Sequence, residues 1–157
     1  MTNLKWFLLS HSLHLTFLFR SGQSIKNIPI VGSAFRLSIE YIIRVVFSSD
    51  ISCKAKIGPG FVIVHGHDIV IGADVIMGRN CKIFNGVTLG NKDTTQFAIC
   101  NQPVVGDHVV LSTGAKILGP IIIGDNVTIG ANSVVIRNCQ SNTVYAGVPA
   151  KIIKITK

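Results

Sequence analysis

The sequence predicts an all-β solenoid: a parallel β-helix of hexapeptide repeats behind a short N-terminal α-helical segment. Three observations predict it. Large aliphatic residues stand at every sixth position, at Val105, Leu111, Ile117, Ile123, Ile129 and Val135. Small or aliphatic residues recur four places on, at Val109, Ala115, Ile121, Val127 and Ser133. Glycine follows the aliphatic slot at Gly106, Gly124 and Gly130. A six-residue period matches neither a helix of about 3.6 residues per turn nor the alternation of a hairpin strand. It fits flat coils whose aliphatic residues point inward and stack on their equivalents above and below.

Length and composition bound the rest. The 157 residues make one domain with a small appendage. Residues 1–49 are expected as the helical segment and 50–157 as the β-helix, with a protruding loop at 90–103 and a tail at 138–157. The hydrophobic fraction is 48% and the charged fraction only 14%. A stacked core with faces buried against partner subunits accounts for both. The net charge of +8 suits an anionic membrane surface or a phosphorylated ligand. No basic run interleaved with aromatics occurs in the repeats, which sets nucleic acid aside. Cys53, Cys81, Cys100 and Cys139 form no C-x-x-C pair, and His65 and His67 are not spaced with them as a zinc site. Reduced thiols in a cytoplasmic protein are expected, with no metal.

The elements follow in order. Leu4 to Phe19 is strongly apolar, interrupted by Lys5, Ser10, His11, Ser12, His14 and Thr16. It lacks the basic start and small-residue cleavage site of a signal peptide, and it is short for a membrane span. A helix packed on the solenoid or on a partner subunit is expected. The alternative is peripheral contact of residues 4–19 with the inner face of the membrane. Ser21 to Pro29 reads as a polar connector. A second helix is predicted over about Gly32 to Phe47, with Phe35, Ile39, Ile42, Ile43 and Val46 on one face. Arg36, Glu40 and Arg44 form an i,i+4 series elsewhere on it.

The repeats start at Ile51, Ile57 and Ile63. Ile71 comes eight residues after Ile63, so two residues are extra around His65-Gly66-His67-Asp68. Register resumes at Ile71, Met77, Ile83 and Leu89, and Cys81 falls in an interior slot. From Leu89 to Val105 the period fails, so residues 90–103 must project as a loop. That loop carries Asn91, Asp93, Thr94, Thr95, Gln96 and Asn101. After Val135 the chain leaves the coil through Asn138 to Asn142, and Ala146 to Lys151 leads into a basic tail. With three hexads per coil the two interruptions lie within a few coils of each other. A site lined by both is expected, since binding residues concentrate on loops held by a rigid scaffold.

Several motifs together carry a resemblance. They are Asp50-Ile51, Ala55-Lys56-Ile57-Gly58, Val62-Ile63-Val64-His65, Val87-Thr88-Leu89-Gly90, Gly114 to Gly119, Ile129-Gly130-Ala131 and Ala146 to Lys151. Over residues 50–155 the chain resembles the hexapeptide-repeat acyltransferases, in their serine acetyltransferase-like branch. The resemblance implies left-handed coiling, a homotrimer, and acetyl transfer from acetyl-CoA to a hydroxyl. It implies His65 as the catalytic base and Asp50, fifteen residues earlier, as its dyad partner. It departs from the branch at two places. Val64 replaces the Asp that precedes the catalytic His, and Gln102 replaces a second His before the loop-ending Pro. Those losses, with the short helical lead-in, point toward acetyltransferases that decorate capsular, exo- or lipopolysaccharide sugars. The expected acceptor is therefore a sugar hydroxyl, with L-serine as the alternative.

The chemistry needs a base for the hydroxyl proton, donors for a tetrahedral oxyanion, and a slot holding both substrates. A histidine suits the first role, and an Asp on its other ring nitrogen would fix the tautomer. The bland alternative for His65 is a turn histidine bonded to backbone. His67, Asp68, Asn85 and Gln102 are expected as acceptor contacts, with a solvated turn residue as the alternative for His67. For CoA the resemblance suggests Thr113, Ala131, Arg137, Lys151 and Lys154. Thr113 and Ala131 are one eighteen-residue coil apart and would stack along one groove. A solvated basic tail is the alternative for Lys154. Two rival classes are a non-catalytic scaffold and a hexapeptide-type carbonic anhydrase. The second needs three histidine ligands, and the spacing of His65, His67 and His108 does not supply them.

Overall fold

A computed structural model describes residues 10–25, 28, 31–93 and 101–156. Among the described residues two helices, α1 (His11–Ile25) and α2 (Val31–Phe47), precede fifteen short strands. The strands stack into three parallel faces of a left-handed β-helix. Face one is β1 (Asp50–Ile51), β4 (Val70–Ile71), β7 (Thr88–Gly90), β10 (Lys116–Leu118) and β13 (Val134–Val135). Face two is β2 (Lys56–Ile57), β5 (Ile76–Met77), β8 (Val104–Val105) and β11 (Ile122–Ile123). Face three is β3 (Val62–Ile63), β6 (Lys82–Ile83), β9 (Val110–Leu111), β12 (Thr128–Ile129), β14 (Thr143–Gly147) and β15 (Ala150–Ile155).

The hexad rule holds through the stack. Every aliphatic slot from Ile51 to Val135 is buried, and so, outside the two interruptions, are the slots four places on, from Ala55 to Ser133. Cys81 and Cys139 fill interior slots, and burial pushes both thiols up, Cys139 to about 11. The register also measures the interruptions. Ile51 pairs with Ile71, twenty residues on, and Leu89 with Ile117, twenty-eight on. Ile117 pairs with Val135 at the regular eighteen. Two extra residues are thus spent at the first break and ten at the second.

The corners are closed by a repeated device. Asp107 Oδ1 accepts from the Arg79 N–H at 2.7 Å, one coil below, and Asp125 Oδ1 accepts from the Asp107 N–H at 2.7 Å. Gln102 does the same job, its Oε1 accepting from the Asp74 N–H at 3.0 Å. The Arg79 N–H, aided by the Arg79 side chain, holds the Asp107 carboxyl below its usual range.

The two ends of the chain differ from expectation in three ways. First, α1 runs through the expected connector to Ile25. Gly22 does not break it, because that glycine is where the helix lies against the first coil. A Cβ there would sit 2.4 Å from Cys53 Sγ. Arg20 and Gln23, both inside the helix, reach the carbonyls of Ile57 and Ala55 at 2.7 Å each. Partial burial lowers the Arg20 pKa from its ordinary value. Second, α2 turns Arg36 and Glu40 of its charged series inward and leaves Arg44 exposed. Glu40 bonds Arg36 at 2.7 Å and accepts from the Cys53 N–H at 2.8 Å. Of the expected apolar face only Ile39 and Ile43 are buried, while Phe35, Ile42 and Val46 are exposed. Third, the tail is no loose basic end: β15 folds back antiparallel on β14. Residues 4–9 of the expected first helix lie outside the described residues. Leu15 and Phe19 of α1 are buried on the coil. Among the described residues no helix is long and apolar enough to cross a membrane.

Candidate active site

The first register break makes a turn between β3 and β4. Asp68 takes a left-handed conformation, φ 54°. Its N–H bonds the Ser48 carbonyl at 3.1 Å, and the His67 N–H bonds the His65 carbonyl at 3.1 Å. Helix α1 roofs this turn. Ser12 Oγ donates to the Val64 carbonyl at 2.9 Å. At Gly66 a Cβ would meet Leu15 Cδ2 at 3.0 Å and Ser12 Cα at 3.3 Å. A larger residue there would have to push back the Leu15 tip and the Ser12 backbone by a few tenths of an ångström. The His65 ring stays exposed and lies edge-on to Phe84, with centroids 6.2 Å apart.

Between α1 and the outer surface of face three lies a cleft of about 520 Å³. Ser10, Ser12, Leu13 and Thr16 line one side, and Phe61 to Val64 with Lys82 line the other. The cleft thus reaches the residue before His65.

Four of the candidate residues fall in one column. Gly86 N–H bonds the His67 carbonyl at 3.3 Å, Gly114 N–H the Asn85 carbonyl at 2.9 Å, and Asn132 N–H the Thr113 carbonyl at 2.8 Å. Each bond repeats one corner a coil higher, which stacks His67, Asn85, Thr113 and Ala131 in line. Thr113 Oγ1 also bonds Asn85 Oδ1 at 3.2 Å. Strand spacing of about 4.8 Å makes the column about 14 Å long. Arg137 and Lys151 border a separate cleft of about 200 Å³ with Ile136, Pro149 and Ala150. Lys154 stands exposed on β15 opposite Val144.

Asp50 is placed differently. Its Oδ1 accepts from Arg44 at 2.7 Å, between half-exposed side chains, and that carboxylate raises the Arg44 pKa. Among the described residues no hydrogen bond joins Asp50 to His65. Asp68 is exposed beside Gly86. Of the loop's polar residues, Thr94, Thr95 and Gln96 lie outside the described residues. Lys92, Asp93 and Asn101 border a cleft of about 460 Å³ with Pro120. Among the described residues no three His, Cys, Asp or Glu side chains gather as metal donors.

Sequence reasoning missed three residues here. Ser12 and Gly66 act through the helix-to-turn contact, which no local pattern announces. Lys116 donates to the Gly86 carbonyl at 2.6 Å and to Thr88 Oγ1 at 3.1 Å, steadying the middle of the column. Its signal was its place in the Gly114 to Gly119 motif.

Comparisons with known proteins agree on the family. Residues 102–137 match the model described as bacterial transferase hexapeptide (six repeats), and residues 68–92 match the hexapeptide repeat of succinyl-transferase. The chain is 36% identical to a serine acetyltransferase of Helicobacter pylori over 151 residues, covering 95% of this chain and 86% of that one. It is 39% identical to a serine acetyltransferase of Synechococcus elongatus over 115 residues, covering 73% and 46%. The crystal structure of Neisseria gonorrhoeae serine acetyltransferase superposes with a TM-score of 0.88 at 29% identity, covering 97% of this chain and 58% of that one. A Brucella abortus serine acetyltransferase in complex with coenzyme A gives 0.81 at 29% identity, covering 93% and 57%. The chain spans about half the length of several relatives it matches.

These relatives overturn the expected sugar acceptor, since they are serine acetyltransferases. The two departures that suggested a sugar both lie at tertiary contacts. Gln102 spends its amide oxygen capping the Asp74 N–H. Val64 lies in the cleft beneath α1, its carbonyl bonded to Ser12.

Proposed function

The chain belongs to the serine acetyltransferase-like branch of the hexapeptide-repeat acyltransferases, and from that premise we propose that it acetylates L-serine. The acetyl group passes from the thioester sulfur of acetyl-CoA to the serine hydroxyl oxygen. His65 takes the hydroxyl proton as the new ester bond forms. The carbonyl becomes a tetrahedral oxyanion, and its collapse expels the CoA thiolate, which the imidazolium reprotonates. Asp50 is assigned the dyad role, steadying the imidazolium once its carboxylate turns from Arg44. CoA is assigned to the column Asn85–Thr113–Ala131, where small side chains leave room for an extended pantetheine arm. Arg137 and Lys151 offer charge-assisted bonds to its phosphates, and Lys154 adds a third cation. His67 and Asp68 flank the acceptor from the turn, with Asn85 and the free amide nitrogen of Gln102 beyond them.

One observation carries this reading. The exposed His65 sits on a turn strapped by α1, and His67 of the same turn heads the column of small and polar residues. We also propose a homotrimer in the cytoplasm, with residues 1–49 clamping the β-helix of 50–157. Ile76, Val104 and Ile122 support it. They stand in register and exposed on face two, an apolar stripe suited to another subunit.

The test measures thiol release from acetyl-CoA with L-serine against acetyl-CoA alone, and sedimentation of the same preparation. Turnover on serine and a trimeric mass are expected. No serine-dependent release would sink the activity, and a clean monomer at micromolar concentration would sink the assembly.

A further inference from the structure

We infer that Lys82 is the cation that receives the carboxylate of the acceptor, a contact that rests on the serine reading. Serine is a zwitterion. Moving its carboxylate out of water is costly unless a charged or strongly donating partner meets it. The cleft of about 520 Å³ next to Val64 offers one charged side chain, Lys82. Its other lining groups are the hydroxyls of Ser10, Ser12 and Thr16, and apolar side chains. Two of these hydroxyls already have acceptors: Ser12 donates to the Val64 carbonyl and Thr16 to the Ser12 carbonyl. Ser10 Oγ accepts from the Leu13 N–H at 3.4 Å, which leaves its own proton to donate.

The position of Lys82 fits the distance that matters. It pairs in register with Val62, and Ile83 beside it points into the core. Lys82 on β6 and Phe84 just past its end therefore share the outer surface, about 7 Å apart at strand rise. Phe84 is the residue whose ring touches His65. A small amino acid with its hydroxyl at His65 and its carboxylate toward Lys82 lies along that surface, under α1. The lysine is available for the task. It is exposed, and none of the ion pairs among the described residues uses it. Arg20 of α1 is occupied by the Ile57 and Gly58 carbonyls and by Gln23.

The experiment compares L-serine with L-serinamide, which keeps the hydroxyl and amine but lacks the carboxylate. The wild-type chain should prefer L-serine. K82A and K82Q should raise the KM for L-serine by about 10- to 100-fold, the size expected for one charge-assisted contact. They should leave the KM for serinamide and for acetyl-CoA near wild type, and K82R should recover much of the serine preference. Two variants are used so that one poorly folded protein cannot decide the matter, with thermal melting as the control. An unchanged serine-to-serinamide ratio in well-folded K82A and K82Q overturns the inference. So does a raised KM for acetyl-CoA alone, which would give the cleft to the cosubstrate. Failure of the underlying reading shows earlier, as a wild-type chain that does not use L-serine at all.

Discussion

From Val105 to Val135 each residue leans on its own equivalent one coil away. Leu111 lies beside Ile83 and Ile129, and Ile117 beside Leu89 and Val135. From Ile51 to Ile69 the coil leans as much on the helices. Cys53 touches Gly22 and bonds Glu40, the Ala55 and Ile57 carbonyls take Gln23 and Arg20, and Gly66 lies under Ser12. The later coils are therefore a uniform rail, with the column through Thr113 and Ala131 on one corner. The first coil is where the rule is broken, and where a helix holds a histidine turn in a shape that stacking alone would not give. The comparison teaches that repetition builds the surface for a long cosubstrate, while the interruption builds the reacting end.

The largest effect should come from the interruption. His65→Ala should lower kcat by about 10²–10⁴-fold, the usual worth of a positioned general base, and leave the affinity for acetyl-CoA nearly intact. Asp50→Asn should cost less. Stopped-time thiol assays with calorimetric CoA binding read both. Near wild-type turnover by the histidine variant would remove the base from the first coil and end the division of labour.

How much of this could be read in advance follows the same line. The rail was legible because a residue such as Leu111 has neighbours set by a fixed period. The column was legible for the same reason, since Thr113 and Ala131 are one coil apart. The helix docking was not. The inward turn of α2 depends on Glu40 finding the Cys53 N–H, a pair thirteen residues apart with no repeat behind it. A hydrophobic face at Phe35, Ile42 and Val46 invited burial, and Arg36 and Glu40 took the inward side instead. The acceptor was misread because the missing charge at Gln102 and Val64 was weighed without their tertiary contacts. Their actual contacts, a corner N–H and a helix serine, are tertiary.

Gly66→Ala sharpens the contrast between regions. The added methyl asks the Leu15 tip and the Ser12 backbone to give by a few tenths of an ångström, and mild overpacking of this kind costs about 1 kcal/mol. Denaturant unfolding should show that loss, and kcat should fall with it as α1 lifts from the turn. Gly90, by comparison, would present a Cβ with nothing within 4 Å. Gly90→Ala should move stability far less. Equal losses for the two would mean that the helix does not clamp the turn.

On the rail the expected effects are smaller and electrostatic. Arg137→Ala with Lys151→Ala should weaken acetyl-CoA binding by about tenfold or more, if both cations bond phosphate. Binding should also lose part of its salt dependence, because the screened charges are gone. Calorimetry at low and high salt reads both quantities. An unchanged dissociation constant at either salt would remove these residues from the cosubstrate end.

The smallest effect tests whether a residue at the second interruption belongs to the corner or to the pocket. Gln102 caps the Asp74 N–H as Asp107 caps Arg79 and Asp125 caps Asp107. Truncating it leaves that N–H without its protein partner at an edge that water can reach. The loss should therefore stay near about 1 kcal/mol, the net worth of an ordinary hydrogen bond. Gln102→Ala should show it in urea unfolding, with the slope unchanged because the same surface is exposed. Gln102→Glu keeps an oxygen in the same place and should keep most of the stability, since a carboxylate already serves at Asp107 and Asp125. The pair separates the two roles of the side chain. A corner residue loses stability in the alanine variant alone and changes acceptor kcat/KM only slightly in either. If both variants instead lose more than about tenfold in acceptor kcat/KM, equivalent to about 1.4 kcal/mol, the amide nitrogen is meeting the acceptor, and the second interruption joins the first as part of the reacting end.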